Sequence, residues 1–150
     1  MSESVLRVQV RDDDTIDETE LVRLYSAVGW VAYTQDPESL VRAISNSTYV
    51  ATARCGGQLI GLARGLSDDV SIFYLQDILV HPDHQRTGVG KALLARCLDR
   101  FSHVRGIILL TDDRPEQLAL YRSCGFENVA DRNDLNAFVQ PCGNDQSDAR

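Results

Sequence analysis

Leu79-Val80-His81-Pro82-Asp83-His84-Gln85-Arg86-Thr87-Gly88-Val89-Gly90-Lys91-Ala92-Leu93-Leu94 is the stretch on which the fold turns. The residues before it, Val70 to Val80, are rich in β-branched and aromatic side chains and predict a strand ending at His81-Pro82. Those after it place Val89, Leu93 and Cys97, with Leu94, Leu98 and Phe101, on one stripe, predicting an amphipathic helix from Gly88 to Phe101. Between the two, Gly88 and Gly90 let the backbone of Gln85–Gly90 turn with its N–H groups converging on one concavity. The helix that begins there adds unpaired amides and the positive end of its dipole. Such a turn suits a pyrophosphate. For a bare Gly-x-Gly, a tight turn with no ligand is the competing reading.

Two other phosphate loops do not fit these residues. A Walker loop needs GxxxxGK[ST], whereas Gly88-Val89-Gly90-Lys91-Ala92 lacks the wider glycine spacing and the hydroxyl after lysine. A Rossmann fingerprint needs GxGxxG after the first strand of a doubly wound sheet, and here a shorter motif lies mid-chain.

Working outward, Leu6–Val10 reads as a strand, and Asp17 with Glu20 has the form of a capping box before Leu21, Leu24, Tyr25 and Val28. Gly29 closes that helix. Asp36-Pro37 starts a second one, with Leu40, Val41 and Ile44 inward. Tyr49–Arg54 and Leu59–Leu66 flank Cys55-Gly56-Gly57-Gln58, a hairpin signature. Val104–Thr111 is nearly continuous apolar sequence and predicts a strand buried on both faces. Pro115–Ser123 predicts a helix capped at Gly125, with closing strands at Phe126–Ala130 and Leu135–Val139. The order predicts a mixed α/β domain whose central strand–helix–strand unit is parallel. Residues 1–140 read as one domain and the polar 141–150 as a flexible tail.

The composition narrows the function classes. In 150 residues, the formal net charge of -7 speaks against nucleic-acid and anionic-membrane partners, which need a basic footprint. No apolar run approaches the ~18 residues of a membrane span. Four scattered cysteines, with no CxxC, argue against zinc-ribbon or thioredoxin chemistry. The start, Met1–Val8, lacks the apolar core of a secretory signal, so a cytoplasmic location is expected. His81 and His84 are three apart but lie in a loop with no third ligand, and no metal is expected.

The motif Leu79–Leu94 resembles the central signature of the GNAT superfamily of N-acetyltransferases, V-x-P-x-x-[QR]-x-x-G-x-[GA]. Leu120-Tyr121-Arg122-Ser123-Cys124-Gly125-Phe126 resembles the same family's Y-x-x-x-G-F. The resemblance spans residues 5 to 139. Within the family, Ala27–Trp30 and the region to Leu40 are most similar to the arylalkylamine (serotonin-type) acetyltransferases of bacteria and plastids. The resemblance implies the family's single-domain acyltransferase fold, a mixed central sheet flanked by helices. It implies acetyl-CoA as co-substrate and direct transfer to a primary amine, with a small amine expected. Protein lysines or N-termini, and a regulator that binds acyl-CoA without turnover, are the alternatives. It also allows a homodimer through terminal strands such as Leu135–Val139.

Residue by residue, the resemblance implies that backbone groups of Ile78, Leu79 and Val80 pair with the pantetheine arm. The amide near Ile78 would polarise the acetyl carbonyl. Gln85, Arg86, Thr87, Gly88, Val89, Gly90 and Lys91 would hold the pyrophosphate. Tyr121 falls on the family's usual acid. Arg114 stands where the family often has Asn contacting the cofactor, and an arginine there could reach a phosphate. For the base, Asp77 is the best carboxylate, with a structurally paired aspartate as the competing reading and relay by water as a further route. Strand alternation puts Tyr74 and Gln76 on one face and Asp77 on the other. Trp30, Tyr33 and Tyr74 are the candidates for the acceptor pocket, core packing being the competing role of Trp30.

Overall fold

A computed structural model describes residues 7–141. Those residues form two compact units, divided after Leu109. The first holds the whole sheet. Its elements are β1 (Val8–Arg11), α1 (Glu18–Ala27), α2 (Val31–Thr34), α3 (Pro37–Ser45), β2 (Tyr49–Cys55), β3 (Gln58–Ser67), β4 (Ile72–Val80), α4 (Val89–Arg100) and β5 (Gly106–Leu109). The strands lie in sequence order, antiparallel except for the parallel pair β4–β5 that α4 connects. This is the predicted strand–helix–strand crossover, in a mixed sheet flanked by helices.

Local chemistry explains the element ends. Asp17 caps α1 by accepting from the Glu20 N–H, and Glu20 returns a bond to the Asp17 N–H. Asp36 caps α3 with Pro37 at its first position. The β2–β3 turn puts Gly56 and Gly57 both at positive φ, as a two-residue hairpin with the sheet's twist requires.

Two apolar layers sandwich the sheet. On one face Leu21, Leu24 and Tyr25 of α1 and Leu40 of α3 pack with Leu59, Leu62 and Leu79. On the other, Phe73 stacks on Phe101 at 4.0 Å and Tyr49 meets Phe101 edge-on, beneath α4. Gly65 makes that second layer possible. A Cβ there would stand 2.3 Å from the Phe73 ring.

An irregularity in β4 decides which side chains reach which layer. Arg64 pairs with Asp77 and Gly65 with Leu75, so Gln76 has no opposite residue and bulges. Leu66 pairs with Tyr74. Arg64 and Leu66 share a face of β3, and therefore so do Asp77 and Tyr74. This corrects the simple alternation, which set them on opposite faces; the extra residue restores them to one. The buried side of β4 thus changes from the α4 layer at Phe73 and Leu75 to the α1–α3 layer at Asp77 and Leu79.

Other expectations also change. The predicted buried strand at 104–111 is a four-residue edge strand, with Ile108 49% exposed. The first strand is displaced to Val8–Arg11, and Leu6 lies outside the described residues. The short helix α2 was not anticipated. In the second unit, residues 110–141, the expected helix forms as α5 (Pro115–Ser123). The two closing strands do not form. Asn128 instead accepts from the Ala130 N–H and starts a 3-10 turn at Val129–Asp131. Among the described residues no strand edge pairs with residues 135–139, and Phe138 is 95% exposed. Among the described residues, no helix is long and apolar enough to cross a membrane.

Candidate active site

The site begins with a strand edge that loses its neighbour. β5 pairs with β4 only from Ile72 to Leu75, so from Gln76 to Val80 no described strand covers that side of β4. The direction of each backbone group follows from the β3 side. His81 donates its N–H to the Ile60 carbonyl at 2.7 Å. Antiparallel geometry then turns Leu79 toward β3 as well, and leaves Ile78 and Val80 facing the open edge. The Val80 carbonyl accepts from Gln85 Nε2 at 3.0 Å, which fastens the following turn to the end of the strand.

Beyond that turn α4 starts bare. Its N-cap is Gly88, at φ 89, with no side chain to satisfy the first amides. Arg86 also takes a positive φ of 63, a costly conformation for a residue with a Cβ. The two glycines differ in what they require. Gly88 needs its φ, and a Cβ added there would meet nothing within 4 Å. Gly90 has no positive φ, and its added Cβ would meet only Val80 Cγ2, at an ordinary 3.6 Å. Neither packing nor backbone demands glycine at 90, so its smallness leaves room for something other than protein. Arg86 and Lys91 are exposed and form no ion pair among the described residues. Bare amides, open space and uncommitted cations fit a pyrophosphate, and the open edge fits an extended amide-bearing arm.

Asp77 has a different setting. Its side chain is fully buried and ion-paired through Oδ2 to Arg64 Nε at 2.7 Å. Tyr25 donates to Oδ2 at 2.9 Å and Tyr33 to Oδ1 at 3.0 Å. Burial alone would lower the Arg64 pKa, but the charge of Asp77 and its hydrogen bond reverse this and raise it. Burial, then the adjacent Asp77 charge, drives the Tyr25 phenol well above its usual range. Trp30 and Tyr33 are partly buried against the α1–α3 layer, with Tyr33 4.9 Å from the Tyr25 ring. Tyr74 is half-buried between Leu66 and Ile108 in the register of three strands.

Sequence reasoning missed Arg64, Tyr25 and Gln76. The available signal was Arg64 itself, a lone charge inside the apolar run Leu59–Leu66. A cation on a buried strand requires a partner.

In the second unit, Tyr121 lies on α5 and is buried; its hydroxyl makes no hydrogen bond among the described residues. Burial, reinforced by Asp112 and Cys124, pushes its pKa up to about 12. Arg114 is the N-cap of α5 and its guanidinium pairs with Asp112 at 2.8 Å. The Nδ1 of His81 accepts from the Asp83 N–H, and among the described residues no three His, Cys, Asp or Glu side chains group as metal ligands would.

A crossover helix that starts bare beside an uncovered strand edge offers a place for a pyrophosphate next to backbone groups able to pair with an extended arm. The chain belongs to the acetyltransferase (GNAT) family, whose model matches residues 13–126. Its activity is therefore acetyl transfer from acetyl-CoA. An N-acetyltransferase of Gracilaria tenuistipitata var. liui, described as uncharacterized ycf52, is 28% identical over 130 residues, covering 82% of this chain and 69% of that one. The soybean histone acetyltransferase TAP1 is 30% identical over 125 residues, covering 75% of this chain and 52% of that one. Among solved structures, the GNAT family protein SP0256 of Streptococcus pneumoniae superposes with a TM-score of 0.79 at 28% identity, covering 89% of this chain and 97% of that one.

Proposed function

We propose that this chain transfers the acetyl group of acetyl-CoA to the primary amine of a small acceptor with an apolar body. The observation that carries the cofactor half is the uncovered edge of β4, with Ile78 and Val80 facing it, next to the bare start of α4. There the Ile78 N–H donates to the acetyl carbonyl oxygen, stabilising charge as it develops. The amides of Gly88 to Lys91, with Arg86, hold the pyrophosphate; Arg114 is a candidate for a further phosphate contact. Acetyl-CoA supplies the activated acetyl group. The family resemblance gives Tyr121, in the second unit, the role of the acid that donates a proton to the departing sulfur. Its high pKa keeps the phenol protonated at neutral pH, and its hydroxyl makes no hydrogen bond among the described residues. Asp77 is sealed from solvent, so the proton of the incoming amine leaves through water.

Leu66, Tyr74 and Ile108 form an apolar row across β3, β4 and β5, on the sheet face that also carries Asp77 and Tyr33, and Leu66 and Ile108 are about half exposed. That row supports an apolar body on the amine. The resemblance of Ala27–Trp30 to arylalkylamine acetyltransferases points the same way. The soybean relative's name attaches to protein acceptors instead, so peptides belong in the test.

The test has two arms. Calorimetry measures acetyl-CoA binding, and thiol release is followed with aliphatic amines, arylalkylamines, polyamines and lysine peptides. Binding with turnover on arylalkylamines is expected. Binding without turnover on any acceptor would identify a regulator. Tyr121→Phe is expected to lower kcat by about 10²- to 10⁴-fold with acetyl-CoA affinity unchanged; unchanged turnover would remove the acid role.

A further inference from the structure

The side chains around Asp77 join four elements through one buried charge. Tyr25 reaches it from α1, Arg64 from β3 and Tyr33 from α2. Arg64 continues the network. Its Nη2 donates to the Tyr33 hydroxyl at 3.2 Å, and its Nη1 donates to the Ser47 hydroxyl at 3.3 Å, just past α3. The Tyr33 hydroxyl also accepts from Gln76 Nε2, on the bulge, at 3.4 Å.

The element that depends on this network is α2. It has four residues, no side-chain cap and no fully buried residue. A helix so short has no stability of its own. Tyr33 ties it to the sheet, through its ring on Tyr25 and its hydroxyl on Asp77 and Arg64, beside the Trp30 ring that meets Tyr25 edge-on. A general base must come within hydrogen-bond reach of the proton it removes, directly or through one water. The carboxylate of Asp77, wholly enclosed by its donors, does not.

We infer that Asp77 and Arg64 are positioning residues that pin α2, with Trp30 and Tyr33, against β4 and so fix the wall that meets the acceptor amine. This rests on the acceptor reading above. The pin turns a flexible four-residue turn into a fixed surface, so its loss loosens acceptor binding and leaves the acetyl-CoA cradle intact.

The test compares wild type, Asp77→Asn, Tyr33→Phe and the double variant, with 2-phenylethylamine as the acceptor probe. Tyr33→Phe removes one hydroxyl at a half-buried position and keeps the ion pair, so it serves if Asp77→Asn folds poorly. Each single variant is expected to raise KM for the amine tenfold or more. The double is expected to be no worse than the poorer single, because both cut the same pin. Acetyl-CoA affinity should stay within threefold, kcat within fivefold, and the acidic limb of the pH–rate profile unchanged. Trp30, the chain's single tryptophan, gives a readout independent of catalysis. Its emission should shift to the red, and amides 30–35 should lose hydrogen-exchange protection. A hundredfold fall in kcat with loss of the acidic limb in Asp77→Asn would make Asp77 the base and overturn the inference. Unchanged Trp30 emission and exchange in both single variants would also overturn it, including where no amine is acetylated. Failure of wild type to bind acetyl-CoA counts only against the proposed function.

Discussion

Gly90 is a position where folding and ligand binding make opposite demands. An aspartate there lies in the first turn of α4, where a carboxylate favours the helix dipole, and its Cβ has room beside Val80. The same carboxylate stands where the pyrophosphate is to be held. Gly90→Asp is therefore expected to leave the melting temperature unchanged or slightly raised, while acetyl-CoA affinity falls at least a hundredfold by calorimetry. Gly65 shows the reverse case. Adding a methyl drives it into the Phe73 ring and the Tyr74 carbonyl, and the cost of overpacking, about 1–3 kcal/mol or more, falls on stability. At this scale the sequence displayed the turn before α4 clearly, because Pro82 and Gly88 act through local backbone geometry. It did not display the Arg64–Asp77 pair, which exists only once β3 and β4 are in register.

Among the elements, α1 carries the clearest local design. Glu20 closes the capping box and also binds Arg54 at 2.6 Å, which in turn holds Asp14 at 2.6 Å. The Arg54 hydrogen bond holds the Glu20 carboxyl below its usual range. Asp17→Ala removes one cap bond and is expected to cost about 1 kcal/mol in urea denaturation. Glu20→Ala removes both a cap bond and the link to β2, and should cost more. This helix was legible in the sequence from its capping box and the spacing of Leu21, Leu24, Tyr25 and Val28. The bulge in β4 was not, since a period of two read along the chain has no means of counting an extra residue. Nor were the closing strands correctly foreseen. Leu135-Asn136-Ala137-Phe138-Val139 alternates as a strand would, but a strand exists only against an edge, and the described residues offer it none.

For the whole molecule, the buried phenols set the response to alkali. Burial is the first cause for Tyr25, Tyr49 and Tyr121, and in each the pKa is raised. The folded state therefore keeps these protons at pH values where the unfolded chain releases them. Their contribution to stability is fully present below about pH 10, the unfolded value, and is lost as pH climbs toward the folded values. Thermal melts at rising pH should show the melting temperature falling from about pH 10. Tyr49→Phe should flatten part of that fall, since one of the groups that binds its proton more tightly when folded is gone. The architecture itself could be foreseen because hydrophobic period and turn chemistry determine the order of elements and the parallel crossover. The proposed acceptor surface could not, since no local motif encodes a surface assembled from three strands and a four-residue helix.

The uncovered stretch of β4 has a consequence for solubility. A strand edge with unsatisfied backbone groups is a template on which one chain can recruit another. The bulge at Gln76 shortens and twists that template, which restrains such pairing, and an extended thioester arm lying along it would complete the protection. On this view the co-substrate is also a cover, and a preparation stripped of it should be the more prone to self-association on concentration.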